Sequence, residues 1–298
     1  MSNKVIKLLL YIAQLPFCYQ LFPSDCNCGR SYAHNTFSGD NSKMLKGDYL
    51  SKNEQPWLSF LDSSFSDGRR IFCSGAIINL KFIITAAHCL KSRNHSLDLV
   101  YVYVGAHNLS NMDKHSRIYR SSSVILHEDY NERTFENDIG LVELPVSLLF
   151  SPSVQPVCLP RHREVQFNQR IATVYGWGDI QHNRALGSLL PKGVNLYITQ
   201  PDEKRSNGSL KRFIAKSEEN RVCTLSEGGP LVLKENRKFT LVGVTSLASQ
   251  CEVQNMTGEF ARVSEYMGWI IKHAVNGECF QKTSFYSRIL TMLRSSLT

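Results

Sequence analysis

A succession of short apolar runs separated by polar turns constrains this chain most. Ile71-Phe72-Cys73-Ser74-Gly75-Ala76-Ile77-Ile78 leads into Phe82-Ile83-Ile84-Thr85-Ala86-Ala87, and Tyr101-Val102-Tyr103-Val104 follows. Such runs, rich in β-branched and aromatic side chains and often alternating, suit strands and are too short for core helices. From Trp57 to Leu109 the signal is β-type. With 298 residues the chain buries a large core, as one big β domain or two small ones. Its 42% hydrophobic and 20% charged residues are those of a globular protein, not a disordered one.

The first twenty residues read as a secretory signal. Lys4 and Lys7 give a positive start, and Leu8–Phe17 is an apolar run too short for a membrane span. The cut is placed near residues 18–22, and no other run is long enough to cross a bilayer. Cysteine usage fits export. Beyond Cys18, which leaves with the signal, stand Cys26, Cys28, Cys73, Cys89, Cys158, Cys223, Cys251 and Cys279. In an exported chain these are better read as disulfides than as metal ligands. Asn94, Asn108, Asn207 and Asn255 each open an Asn-x-Ser/Thr sequon and are candidate glycosylation sites. The formal charge of +8 falls to +6 once Lys4 and Lys7 leave. The basic clusters, such as Arg161-His162-Arg163 and Lys211-Arg212, are scattered over loops. They read as solvated surface rather than as a nucleic-acid site, with extracellular polyanions left open as partners. Residues 21–43 are polar and linker-like. Near the end, Phe285, Ile289, Met292 and Leu293 recur at helical spacing.

The chemistry gathers in a few motifs. These are Thr85-Ala86-Ala87-His88-Cys89, Asn137-Asp138-Ile139-Gly140-Leu141, Val174-Tyr175-Gly176-Trp177-Gly178, and Cys223-Thr224-Leu225-Ser226-Glu227-Gly228-Gly229-Pro230. In that order they resemble the chymotrypsin-like, trypsin-fold serine peptidases, from about residue 44 to about 275. The resemblance implies an all-β fold, two packed six-stranded antiparallel β-barrels with a short C-terminal helix. It divides the chain into a signal (1–20), a linker or pro-segment (21–43), the peptidase-like domain (44–275) and an extension (276–298). It assigns His88 as the base and Asp138 as the carboxylate that orients it. Ser246 would support Asp138, and Arg221, Ser246, Ala248 and Gly258 would line the substrate pocket. The resemblance also implies the disulfides Cys73–Cys89 and Cys223–Cys251, and one from Cys158 to Cys28 or Cys26. The remaining N-terminal cysteine and Cys279 are a further candidate pair. Ala106 stands where calcium-binding members carry an acidic ligand, so no metal and no cofactor are expected.

The nucleophile loop departs from the family pattern Cys-x-Gly-Asp-Ser-Gly-Gly-Pro. Leu225 replaces the oxyanion-loop glycine, Ser226 the aspartate and Glu227 the serine nucleophile. A carboxylate attacking an amide is a poor nucleophile and would give a labile anhydride. The activation segment departs too: Lys43-Met44-Leu45-Lys46-Gly47 keeps only a basic residue and one glycine. The expectation is a secreted serine peptidase homologue without peptidase activity, a regulator or adaptor in an extracellular proteolytic cascade. Its partners would be active peptidases, their zymogens or their substrates. Two rivals remain: an active serine endopeptidase using Ser226 after a one-residue loop shift, and an adhesion or polyanion-binding module.

Overall fold

The computed structural model describes residues 27–32, 49–92, 94–112, 114–160, 167, 169–178, 190–199, 210–217, 226–248 and 257–277. The first half holds seven strands: β1 (Leu58–Phe65), β2 (Arg70–Ile77), β3 (Phe82–Thr85), β4 (Leu97–Val104), β5 (Arg117–Arg120), β6 (Ser123–Leu126) and β7 (Gly140–Glu143). They form one sheet in the order β5-β4-β1-β2-β3-β7-β6.

Six strands were expected here and seven are found. The extra one arises because the stretch 117–126 is interrupted at Ser121-Ser122. The Ser121 amide donates to Val100 O on β4, and the Ser122 amide donates to Glu143 O on β7. One stretch thus leaves one edge of the sheet and joins the other. Only two residues separate the edge strands, so the sheet must curl on itself.

The second half is a closed six-stranded barrel, β10-β13-β12-β11-β8-β9. Its strands are β8 (Ile171–Gly176), β9 (Lys192–Thr199), β10 (Arg212–Lys216), β11 (Pro230–Glu235), β12 (Lys238–Ala248) and β13 (Thr257–Arg262). The pleat decides which residues fill it. Val194, Leu196 and Ile198 alternate inward on β9, Ala172 and Val174 on β8, and Phe213 stacks on Phe260 at 5.6 Å between centroids. Ala172 and Leu233 both belong to this core.

The helix Met267–Ala274 buries Ile270 and Ala274 in the larger core, together with Leu61, Ile83, Leu141 and Val244. Asn79 ties its end down. The Nδ2 donates to Ala274 O at 3.0 Å, while Oδ1 accepts from the Phe82 amide at 2.8 Å. Cys28 is bonded to Cys158, and the backbone adds to that anchor: the Gly29 amide donates to Pro156 O, and the Phe239 amide donates to Gly29 O. Among the described residues no helix is long and apolar enough to cross a membrane.

Candidate active site

His88 lies on a 3₁₀ turn, Ala87–Cys89, that follows β3 directly. Ala86 and Ala87 are fully buried, so the turn lies flat against the sheet, and the Cys73–Cys89 disulfide ties it to β2. The Cys89 Sγ is 3.6 Å from His88 Nε2. Both sulfurs are spent in the disulfide, so they offer no thiolate to a metal.

Asp138 arrives from the other side. Phe135 and Asn137, both with φ of +54°, bend the chain sharply before β7. Asparagine tolerates that left-handed region better than most residues. The bend is held by Asn137 Nδ2 donating to Asp129 O at 2.9 Å and by Lys211 Nζ donating to Asn137 Oδ1 at 2.8 Å. Antiparallel pairing of Thr85 with Gly140 then sets Asp138 beside the His88 turn.

Asp138 is 1% exposed and accepts three hydrogen bonds. The Oδ1 accepts from the His88 amide at 2.9 Å, and Oδ2 accepts from His88 Nδ1–H at 2.8 Å and from Ser246 Oγ–H at 2.6 Å. Since an ionised carboxylate only accepts, Nδ1 carries a proton. Ser246 belongs to β12, so this carboxylate is held by residues of both halves.

The other ring nitrogen meets Glu227. Its Oε2 lies 3.4 Å from His88 Nε2, and the Glu227 side chain is half exposed. The turn that carries Glu227 is tightly held. The Ser74 amide donates to Glu227 O at 2.8 Å, the Gly228 amide to Thr245 O and the Gly229 amide to Ser226 O. Ser226 itself is buried, and its hydroxyl shares a 2.6 Å hydrogen bond with that of Ser74. Burial alone would push the His88 imidazole down, but Asp138 first and then Glu227 favour its charged form and hold it up at about 10. The Phe135 ring stands edge-on to the imidazole at 5.9 Å.

Of the remaining residues singled out in the sequence, Ala248 ends β12 opposite Gly258 on β13. Asn94 is exposed and Asn108 half-buried. Arg221, Cys223, Leu225, Cys251, Asn207, Asn255, Cys26, Cys279 and the segment around Lys43 lie outside the described residues. Sequence reasoning did not find Ser74, Phe135 or Lys211. Ser74 and Ser226 are 152 positions apart, and a hydroxyl pair leaves no local signature.

The imidazolium has a direct consequence for pH. Because His88 is held above its ordinary 6.5, its contribution to stability is complete below about 6.5 and lost as pH rises through about 10. Glu227→Gln removes one of the two carboxylates, so the His88 midpoint should fall. NMR titration of the His88 ring in both proteins measures it, and an unchanged midpoint would rule out the ion pair.

Comparison with known proteins gives the family. A 261-residue alignment to the clotting factor G beta subunit of Tachypleus tridentatus is 28% identical and covers 81% of this chain and 83% of the relative. The HL collagenase structure superposes with a TM-score of 0.66 at 26% identity, over 77% of this chain and 98% of that one. The GrC structure gives 0.63 at 26% identity, over 76% and 97%. The trypsin family model matches residues 45–270, and the chain belongs to the trypsin family.

Proposed function

We propose that this protein is a secreted trypsin-family homologue without peptidase activity, serving as a regulator or adaptor in an extracellular proteolytic cascade. One observation carries the reading: a carboxylate, Glu227, occupies the place beside His88 Nε2, 3.4 Å away, where a serine hydroxyl would have to be. A general base needs a free lone pair on that nitrogen. An imidazolium flanked by Asp138 and Glu227 has none at neutral pH.

The geometry disfavours the rival that uses Ser226. Its hydroxyl is buried and bonded to Ser74 rather than to an imidazole. The role in a cascade is supported by the likeness to a clotting-factor subunit. The partner would then be an active peptidase, its zymogen or a shared substrate, bound without turnover.

A tagged fluorophosphonate, which reacts only with an activated serine, tests the first half. No labelling is expected with the purified protein, and stoichiometric label on Ser226 would establish an active enzyme instead. Co-purification from the extracellular fluid of the source organism tests the second half. Recovery of a trypsin-family peptidase or zymogen is expected, and a cascade role fails if only polyanions are retained.

A further inference from the structure

We propose that Asn94 carries an N-linked glycan whose first sugars seat in a depression on the flank of the His88 cleft. The proposal rests on the reading of the chain as exported. The depression is open, about 680 Å³, and is lined by Lys91, Asn94, Asp129, Tyr130, Glu132 and Arg133 among others. It joins the loop that follows His88 to the loop that precedes Asp138. Lys91 Nζ and Glu132 Oε1 bridge the two at 2.8 Å. Phe135, two residues past Arg133, meets the His88 ring, so the depression borders the candidate site.

Its lining is suited to sugar. Lysine and arginine donate, and aspartate and glutamate accept, so hydroxyls that do both find partners of each kind. Tyr130 adds an aromatic side chain with an apolar face and a polar tip.

The acceptor is also suited. Asn94 opens the sequon Asn94-His95-Ser96 and is exposed on a tight turn closed by pairing of Ser92 with His95. The His95 Nε2 is 3.3 Å from Asp67 Oδ2, which fixes the turn to the neighbouring loop. Turns of this kind present their side chains outward, where a bulky modification costs no burial. Asn108 contrasts with it. That residue is half-buried, and its Oδ1 accepts from the Ser110 amide at 2.9 Å, so its carboxamide is already built into a turn. A glycan rooted at Asn94 and lying against residues 129–133 screens that flank of the cleft from a folded partner. Docking is then directed to the opposite side.

The test is expression in a eukaryotic secretory cell line of the full chain, Asn94→Gln and Asn108→Gln. Protein retained in the cells would overturn the export reading itself. Protein in the medium with Asn94 unmodified, read by peptide mass spectrometry after enzymatic deglycosylation, would overturn only the present inference. With Asn94 modified, hydrogen exchange of residues 129–133 should be slowed in the wild type, and the protection should be lost in Asn94→Gln but kept in Asn108→Gln. Equal exchange in wild type and Asn94→Gln would show that the glycan does not lie in the depression.

Discussion

Alanine at Gly228 should destabilise the protein by about 3–5 kcal/mol, the combined scale of a left-handed backbone forced on an L residue and an overpacked core. Gly228 has a φ of +69°. A β-carbon there would overlap Thr85 Oγ1, lie 2.5 Å from Ser74 O and come within 3.1 Å of Cys89 Sγ. None of these neighbours can yield cheaply. Thr85 Oγ1 donates to Ser74 O at 2.8 Å, and Cys89 is held by its disulfide. Thermal unfolding should shift down by roughly 10 °C, using about 2–4 °C per kcal/mol for a domain of this size. Gly268 is the control. It lies in the helix Met267–Ala274 with nothing within 4 Å of an added β-carbon, so Gly268→Ala should be neutral or stabilising by up to about 1 kcal/mol. A Gly228→Ala protein that melts with the wild type would mean that the Glu227 turn does not pack on β2 and β3.

Glu227→Ser should leave peptidase activity at background although it returns a hydroxyl to His88. The substitution removes one carboxylate from the imidazole, lowers its midpoint and frees Nε2 to act as a base. Other obstacles stay. Leu225 stands where the family pattern has the glycine of the oxyanion loop, and a backbone donor displaced by its side chain would lower the rate toward the about 10²–10³ that losing one oxyanion donor costs. Ser226 has no charge to hold a new chain end, and Arg221, where the family resemblance puts a pocket residue, would oppose basic substrate side chains. The assay is a peptide library after cleavage at Lys43. It should compare Glu227→Ser with the same protein carrying Ser226→Asp and Leu225→Gly as well. Turnover should appear only as the later changes are added, and robust turnover by the single variant would place the whole defect on Glu227.

The fold was legible because its signals are local. An apolar run such as Phe82-Ile83-Ile84-Thr85 announces a strand from four residues, whatever lies elsewhere. The meeting of His88 with Asp138 was legible because each lies in a contiguous motif that resembles the family's, and the resemblance implies their pairing. Other features depend on contacts that no short stretch encodes. The break at Ser121-Ser122 is invisible in hydrophobic pattern, since both residues simply hand their amides to different strands. The choice of Cys28 over Cys26 for Cys158 is likewise made by packing. Gly29, next to Cys28, donates its amide to Pro156 O and accepts from the Phe239 amide on β12.

The Ser74–Ser226 hydroxyl pair has a consequence for how this turn is held in changing surroundings. Both groups are neutral across the physiological range, so their bond is indifferent to ionic strength, whereas charge pairs weaken as salt screens them. It also lies between two residues already inside the folded body, 152 positions apart, and asks nothing of a chain end made by cutting. The neighbouring Glu227–His88 contact answers to proton concentration. Two adjacent residues of one turn are therefore governed by different variables: Ser226 by folding alone, Glu227 by the medium. On the reading proposed above, this turn would need no cut to take its shape, and its answer to the medium would run through Glu227 and His88.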